Sequence, residues 1–355
     1  WDSIGSNRIS RRELPDSDQY TWVSWSPDGE NFAAEGLDGQ LRLGTGGRVL
    51  RTIPYLLGKN YYPEDGDSLP LSWSPDSSML LVRNSADSSK FQIWTFKGTP
   101  QPVVGPNNQT DLDLKSGATN VPQNFFYISK SWSGDSHYIA FYMPGGLLHL
   151  VNIYDTRTLE KAGSLTIDFA VSLPPGAALA DSYSNIPSPG GFAWSPDGKY
   201  MALQRWIKGV EGGNAYQRVL LVWEVPSVAL SNRDGNPVMP LTYQFISLDN
   251  PDSANLLAWS RDNRLLVDSR EVVTVNNGPV VRSNKLLVLD FDRGKSNWNV
   301  SYSIPLPDLA YDVKGWWAPD GQRFLVSDDQ GYLAIYGVPP QGIATNRGVS
   351  AKVLA

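Results

Sequence analysis

Cysteine is absent from this chain of 355 residues, and histidine occurs only twice, as His137 and His149. The missing thiols exclude disulfides, thiolate nucleophiles, and zinc or iron–sulfur sites built on cysteine. Two histidines are too few for a three-histidine metal site. Neither of them accompanies a G-x-S-x-G nucleophile motif. We therefore expect a protein without catalytic residues, metal or cofactor.

Positive charge and helix-forming residues are also scarce. Lys and Arg number 30 against 36 Asp and Glu, so the net charge is −6, which excludes the basic footprint of a nucleic-acid-binding protein. No apolar run approaches the roughly 20 residues of a membrane-spanning helix. By contrast, the chain is rich in Gly (32), Pro (26), Trp (13) and Tyr (16). Many turn-formers and aromatics with few charged residues indicate an all-β protein.

One short phrase, a tryptophan followed by a turn sequence, occurs six times. Its copies begin at Trp25, Trp73, Trp132, Trp194, Trp259 and Trp317, and each has an aspartate three residues later, at Asp28, Asp76, Asp135, Asp197, Asp262 and Asp320. The common form Ser-Pro-Asp-Gly favours a type I turn followed by a residue with positive φ. We expect each turn to join two antiparallel strands, with the Asp bonded to turn backbone and the Trp wedged between neighbouring sheets.

Each repeat contains about four apolar or alternating stretches, which predicts a six-bladed β-propeller with four-stranded antiparallel blades. The segment Arg8–Pro15 ends like two of the predicted outer strands, and we expect it to close the ring beside residues 332–338. Residues 1–338 then form a single domain, and residues 339–355 an extension or linker. A seventh blade is the alternative if the two chain ends together form one.

These phrases resemble the WD40-like repeats of the TolB type, in which an aromatic residue precedes Ser-Pro-Asp-Gly and an apolar strand. The resemblance covers the chain from Trp25 to Val338 and implies the propeller fold. It implies no specific activity, because the chain lacks both the α/β domain of TolB and the hydrolase domain of the related peptidases.

The longest connections are predicted on one face, opposite the tryptophan-marked turns. They are the blade-to-blade links at 55–70, 105–126 and 168–191, and the second-to-third loops at 204–217 and 268–284. Clustered long loops predict a binding face for a protein or peptide partner. The residues predicted to form it are Tyr61, Tyr62, Asp65, Asp67, Phe125, Tyr127, Tyr183, Trp206, Tyr216 and Tyr311. In the alternative interpretation, these aromatics pack their own loops.

Three functions follow as hypotheses. The first is a non-enzymatic scaffold that binds a protein or peptide, outside the cytoplasm in the periplasm or at the cell surface. The second is a carbohydrate-active or hydrolytic propeller that uses channel carboxylates. The third is a structural domain of a larger cell-surface assembly. Two sequons, Asn108-Gln-Thr110 and Asn299-Val-Ser301, matter only in a glycosylating secretory pathway.

Overall fold

The computed structural model is built from β-strands. It describes residues 20–54, 71–84, 87, 89–114, 129–143, 148–168, 178–179, 191–208, 216–226, 243–246, 253–275, 278–292, 297–306, 313–318, 321–327 and 333–338. The chain divides into two compact units. Unit 1 contains Trp1–Pro63, Leu69–Leu114 and Arg157–Leu159, and unit 2 contains Glu64–Ser68, Lys115–Thr156 and Glu160–Ala355.

Unit 1 holds two antiparallel sheets. Sheet A is ordered β1 (Tyr20–Trp25), β2 (Asn31–Gly36), β3 (Gln40–Thr45) and β4 (Arg48–Pro54). Sheet B contains β5 (Leu71–Trp73), β6 (Met79–Arg83), β7 (Lys90–Thr95), β8 (Gln101–Pro102) and β9 (Asp111–Asp113). Both β8 and β9 pair with β7, so two short pieces share the outer position of sheet B.

Unit 2 holds the other four sheets, all antiparallel. Sheet C contains β10 (Ser129–Trp132), β11 (Tyr138–Met143), β12 (Leu148–Asp155) and β13 (Lys161–Asp168). Sheet D contains β14 (Ala178–Leu179), β15 (Phe192–Trp194), β16 (Tyr200–Lys208), β17 (Tyr216–Glu224) and β18 (Tyr243–Ile246). Sheet E contains β19 (Ser253–Trp259), β20 (Leu265–Val275), β21 (Gly278–Asp292) and β22 (Asn297–Leu306). Sheet F contains β23 (Lys314–Trp317), β24 (Arg323–Ser327) and β25 (Leu333–Gly337).

The predicted all-β class is confirmed, and sheets A, C and E are four-stranded and antiparallel as predicted, whereas B and D have five strands and F has three described strands. The tryptophan of each phrase is the last residue of a strand, and the residues after it form the turn that leads into the next long strand. The blade number, the ring closure and the division into residues 1–338 and 339–355 stay predictions, since Arg8–Pro15 and residues 339–355 lie outside the described residues.

The predicted second-to-third loop of sheet E is wrong for most of its length, and that of sheet D is wrong at residues 204–208 and 216–217. β16 and β17 continue in register as far as Lys208 opposite Tyr216, and β20 and β21 as far as Val275 opposite Gly278. Runs such as Val272-Val-Thr-Val275 favour a strand through β-branching, and they extend the ladder once the two strands are paired. The described parts of both connections are therefore paired strands rather than loops.

The Ser-Pro-Asp-Gly turn is held by one backbone hydrogen bond and by hydrogen bonds of its Ser and Asp side chains. In sheet A, the Gly29 N–H donates to the Ser26 carbonyl at 2.8 Å. The Ser26 hydroxyl donates to the Asp28 carboxylate at 2.5 Å and accepts the Asn31 N–H at 2.9 Å, while the Glu30 N–H donates to the same carboxylate at 3.0 Å. The hydroxyl-to-carboxylate bond recurs in the pairs Ser74–Asp76, Ser133–Asp135, Ser195–Asp197 and Ser260–Asp262.

The residue after the aspartate has a positive φ in all six turns. The values lie between 59° and 75° at Gly29, Ser77, Ser136, Gly198, Asn263 and Gly321. Only Gly adopts this conformation without steric cost, and Asn tolerates it better than most residues. Ser77 and Ser136 adopt it as well, and the bonds of the preceding Asp and Ser hold those turns closed.

Neighbouring sheets within each unit are joined by the repeat tryptophans. The acceptor of the indole N–H is the residue just before the tryptophan of the preceding sheet. The contacts are Trp73 to the Ser24 hydroxyl (3.1 Å), Trp259 to the Ala193 carbonyl (3.2 Å) and Trp317 to the Ala258 carbonyl (3.3 Å). Trp194 instead uses its backbone N–H, which donates to the Ser131 hydroxyl at 2.8 Å. The tryptophans thus sit where one sheet meets the next.

Apolar side chains fill the spaces between the sheets. One cluster joins sheets A and B, and three others join C to D, D to E and E to F. Ala202 and Val222 of sheet D, for example, pack with Leu265 and Leu289 of sheet E, all nearly inaccessible to solvent. Burial on both faces explains the continuous apolar runs of the second and third strands.

Arg264 adds a buried charge to the contact between sheets E and F. Its side chain is 1% exposed, and its Nε and Nη2 contact the two oxygens of Asp262 at 3.1 and 3.0 Å. Nη2 also donates to the Gly321 carbonyl of the next turn, and the guanidinium lies 5.1 Å from the Trp317 ring centroid. One side chain therefore ties its own turn to the turn and tryptophan of the neighbouring sheet.

Replacing Trp259 by Phe should weaken the contact between sheets D and E. The substitution removes the N–H that the Ala193 carbonyl accepts and part of the packed indole, so we expect a loss of at least about 1 kcal/mol in the free energy of unfolding. Urea denaturation followed by circular dichroism measures this. Trp316→Phe is the matched control, because Trp316 is 49% exposed. Equal effects of the two substitutions would contradict the proposed role of the indole N–H.

The turn aspartates should make stability depend on acid pH. Burial alone would raise the pKa of Asp135, but bonds from the Ser133 hydroxyl and the His137 N–H, together with the nearby imidazole, lower it below 3.8. An aspartate with a lowered pKa contributes stability that is present above its unfolded value and lost as the pH falls through the folded value. Asp135→Asn should therefore be less stable than the wild type at pH 7, and the difference should shrink below pH 3.8. Urea midpoints across this range test it, and a pH-independent difference would refute it.

Candidate functional site

The far end of each sheet, opposite its tryptophan-marked turn, is where the sequence predicts partner binding. Most of the predicted residues lie outside the described residues, so their gathering into one surface stays a prediction. They are Tyr61, Tyr62, Asp65, Asp67, Phe125, Tyr127, Tyr183 and Tyr311. At the far ends, the structure describes the β2–β3 hairpin of sheet A and parts of the β16–β17 and β20–β21 hairpins of sheets D and E.

Trp206 and Tyr216 belong to the long hairpin of sheet D and not to a loop. Trp206 pairs with Arg218 across the ladder, and Tyr216 pairs with Lys208. The first strand, β15, pairs with β16 only as far as Leu203. The short strand β14 then continues along the same edge, opposite Ile207 and Lys208. The backbone thus places both residues at the far end, on regular strands.

Sheet E has a comparable projection. Its outer ladders end at Arg270 opposite Ser253 and at Asn284 opposite Leu306. β20 and β21 continue beyond these points to Val275 and Gly278. The far end of sheet E therefore carries a two-stranded hairpin, a regular scaffold for residues that contact a partner.

Leu37 is the most exposed large apolar residue that the structure describes at a far end. It stands at the tip of the β2–β3 hairpin and is 73% exposed. The turn is closed by the Gly39 N–H, which donates to the Gly36 carbonyl at 3.0 Å, and Gly39 has φ 71°. A type I turn followed by a left-handed Gly is a common tight hairpin connection. The leucine is thus displayed on a short turn closed by its own backbone hydrogen bond.

Electrostatics hold the same tip in shape. Arg42 donates to both oxygens of Asp38, at 3.0 and 2.6 Å. The hydrogen bond from Arg42 lowers the pKa of Asp38 below its ordinary value. A side chain on Gly36 would collide with the Arg42 guanidinium. Leu37 lies outside the predicted long loops, although an apolar residue within Gly-Leu-Asp-Gly is a local signal for an exposed turn position.

The described residues contain one histidine–carboxylate contact, between His137 Nε2 and Asp155 Oδ2 at 3.0 Å. It joins two turn regions of sheet C, where the Thr156 hydroxyl also donates to the Ser136 and His137 carbonyls. His149 lies in β12 opposite Ile167. Among the described residues no group of three or more His, Asp or Glu could hold a metal ion. The contact accounts for His137 as part of the turn structure.

Carboxylates occur in pairs at the turn of sheet E, but their surroundings are structural. Burial raises the pKa of Asp290, while the Ser301 hydroxyl and Arg264 act in the opposite direction. Asp290 lies in β21, and Asp262 lies in the turn between β19 and β20, where it is bonded to the buried Arg264. Asp262 belongs to the contact with sheet F through Arg264, and both carboxylates lie at the turn end of sheet E, not at the far end.

Comparison with known proteins gives two likenesses, and no family model matches the chain. WD repeat-containing protein 1 of Rattus norvegicus is 30% identical over 129 residues, which is 36% of this chain and 20% of the relative. The chain therefore matches about a fifth of the length of that relative. The hydrazine synthase of Kuenenia stuttgartiensis shares the fold with a TM-score of 0.51 and 14% identity, over 94% of this chain and 80% of that one.

Both likenesses fit a WD40-like β-propeller when they are taken with the antiparallel sheets described above. Neither distinguishes the TolB-like subtype from other propeller repeats. None of the described residues forms a helix with the length and hydropathy needed to cross a membrane.

Proposed function

We propose that this protein is a non-enzymatic WD40-like β-propeller that binds a protein or peptide partner with the far ends of its sheets. The observation that carries the proposal is Leu37, a large apolar side chain displayed to solvent on a tight turn. Apolar anchors with a polar rim are typical of protein-binding sites. The likeness to a WD repeat protein supports a scaffold role.

We also propose the blade number, the closure of the ring and the location of the protein. Six sheets form one ring, which Arg8–Pro15 closes by pairing beside β25, and the protein acts outside the cytoplasm. Support for closure comes from sheet F, which has three described strands where the other sheets have four or five. Pairing of β25 with another strand would remove an open sheet edge.

Two alternatives remain as proposals. One observation favours a hydrolytic or carbohydrate-active propeller: the solved structure with a similar fold is named as an enzyme, a hydrazine synthase. The greater length of the WD repeat protein favours the other alternative, a domain of a larger surface assembly. Hydrolysis of glycosidic bonds would require two carboxyl groups roughly 5–10 Å apart in an open pocket.

Leu37→Asp should weaken partner binding without unfolding the protein. The substitution places a charge where an apolar contact is proposed, and the side chain is already exposed, so the melting temperature should change little. A partner captured from the source cells and then purified provides the ligand for calorimetric titration. We expect at least a tenfold rise in Kd. Tyr62→Ala with Trp206→Ala tests the predicted loop residues in the same assay.

Val104→Asp is the matched control for Leu37→Asp. Val104 is also a solvent-exposed apolar residue, at 56%, but it lies at the outer edge of sheet B and not at a far end. Binding that is lost equally in both variants would indicate a general effect of charge. Binding that survives in Leu37→Asp and in the Tyr62/Trp206 double variant would reject this surface.

Deleting residues 1–15 should destabilise the protein if they supply the closing strand. We expect a fall of several degrees in the melting temperature, since the edge of β25 would lose a paired strand. Deletion of residues 339–355 serves as the control, because these residues are predicted to lie outside the ring. Differential scanning calorimetry measures both, and an unchanged melting temperature after the first deletion would argue against closure by this segment.

A further inference from the structure

A short loop interrupts the outer strand of sheet B. β8 ends at Pro102, and Val103 still donates its N–H to the Ile93 carbonyl at 2.7 Å. β9 resumes the pairing with β7 at Asp111. Residues 104–110 therefore bulge out of the sheet at its outer edge and contain one of the two sequons.

Hydrogen bonds within unit 1 define the shape of this loop. The Gly105 N–H donates to the Gln109 carbonyl at 2.8 Å, and the Asn107 N–H donates to the Gln109 side-chain oxygen at 2.9 Å. The Gln109 amide nitrogen donates to the Thr158 carbonyl at 3.0 Å. Gly105 is buried, and a side chain there would meet Gln109 and Thr158. The loop is thus held at its base.

Asn108 stands at the exposed tip of the loop. Its N–H donates to the Gly105 carbonyl at 3.0 Å, and its φ of 58° is one that Asn tolerates better than most residues. The side chain is exposed to solvent, and Thr110 follows two positions later, as the acceptor sequon requires. A bulky hydrophilic glycan on this side chain would extend away from the sheet.

The second sequon lies in a different environment. Asn299 is inside β22, opposite Asp290 of β21, and it is only partly accessible. The Ser301 hydroxyl of that sequon donates to the Val288 carbonyl at 3.0 Å. A glycan on Asn299 would have to leave from the middle of a paired strand whose neighbours are bonded. The two sequons therefore differ in accessibility although their sequences are equally acceptable.

We propose that Asn108 is an N-glycosylation site of this protein when the chain passes through a glycosylating secretory pathway, and that Asn299 is not. The donor is an oligosaccharide linked to a polyprenyl pyrophosphate. The Asn108 side-chain nitrogen forms a bond to the anomeric carbon, and the bond from that carbon to the pyrophosphate oxygen breaks. The lipid pyrophosphate leaves with the electron pair, and one amide proton passes to the transferring enzyme. This modification does not depend on the proposed partner binding.

The full chain behind a cleavable secretion signal, expressed in yeast, tests the proposal. Intact mass before and after peptide N-glycosidase should show one N-glycan for each chain, and peptide mapping should show Asn108 converted to Asp. Secreted wild-type protein of unmodified mass would overturn the proposal. So would a glycan at Asn299 with none at Asn108.

Four variants separate modification from folding. Asn108→Gly keeps a residue suited to positive φ and should abolish the glycan, and Thr110→Val should do the same without changing residue 108. Thr110→Ser should still carry the glycan, because the hydroxyl that the sequon requires is kept. Asn299→Gln should leave the glycan unchanged. A secreted Asn108→Gly protein that still carries one glycan would overturn the assignment.

Discussion

The contact of Trp73, Trp194, Trp259 and Trp317 with the preceding sheet of the same unit is the interaction on which the rest of the structure depends. A four-stranded sheet with apolar residues on both faces is not stable alone, and it must bury each face against a neighbour. The indole covers a large apolar area, and its N–H donates to the residue just before the tryptophan of the preceding sheet, as Trp259 does to the Ala193 carbonyl. Packing and hydrogen bonding therefore specify the same placement of one sheet on another.

The turns serve both local and tertiary structure. Within a turn, the serine and aspartate satisfy backbone groups that would otherwise be unpaired, as Ser26 and Asp28 do. Between turns, Asp28 donates its N–H to the Ser77 hydroxyl of the next sheet at 3.0 Å, and Arg264 reaches Gly321 in unit 2. Asp28, Asp76, Asp135 and Asp197 lie in different sheets and each accepts a backbone N–H of its own turn, which explains why the aspartate recurs.

Because the described turn ends are engaged in these contacts, we propose that recognition uses the far ends of the sheets. Leu37 occupies such an end on a turn kept in shape by Asp38 and Arg42. The hairpins of sheets D and E extend the same ends on regular strands, which hold contact residues more firmly than loops do. The outer edge of sheet B carries the exposed Asn108, so the proposed modification is not at the far end of that sheet.

Local patterns in the sequence determined the strand-turn-strand units, because Ser-Pro-Asp-Gly turns and apolar runs such as Met79–Val82 act through neighbouring residues. The same patterns could not reveal that residues 204–208 and 268–275 remain in ladders, since pairing partners decide whether a polar stretch is strand or loop. Nor could they show that Leu37 is exposed while Leu41 is buried, or that Asn108 and Asn299 differ. Only tertiary structure decides these points, because exposure depends on which distant segments cover a residue.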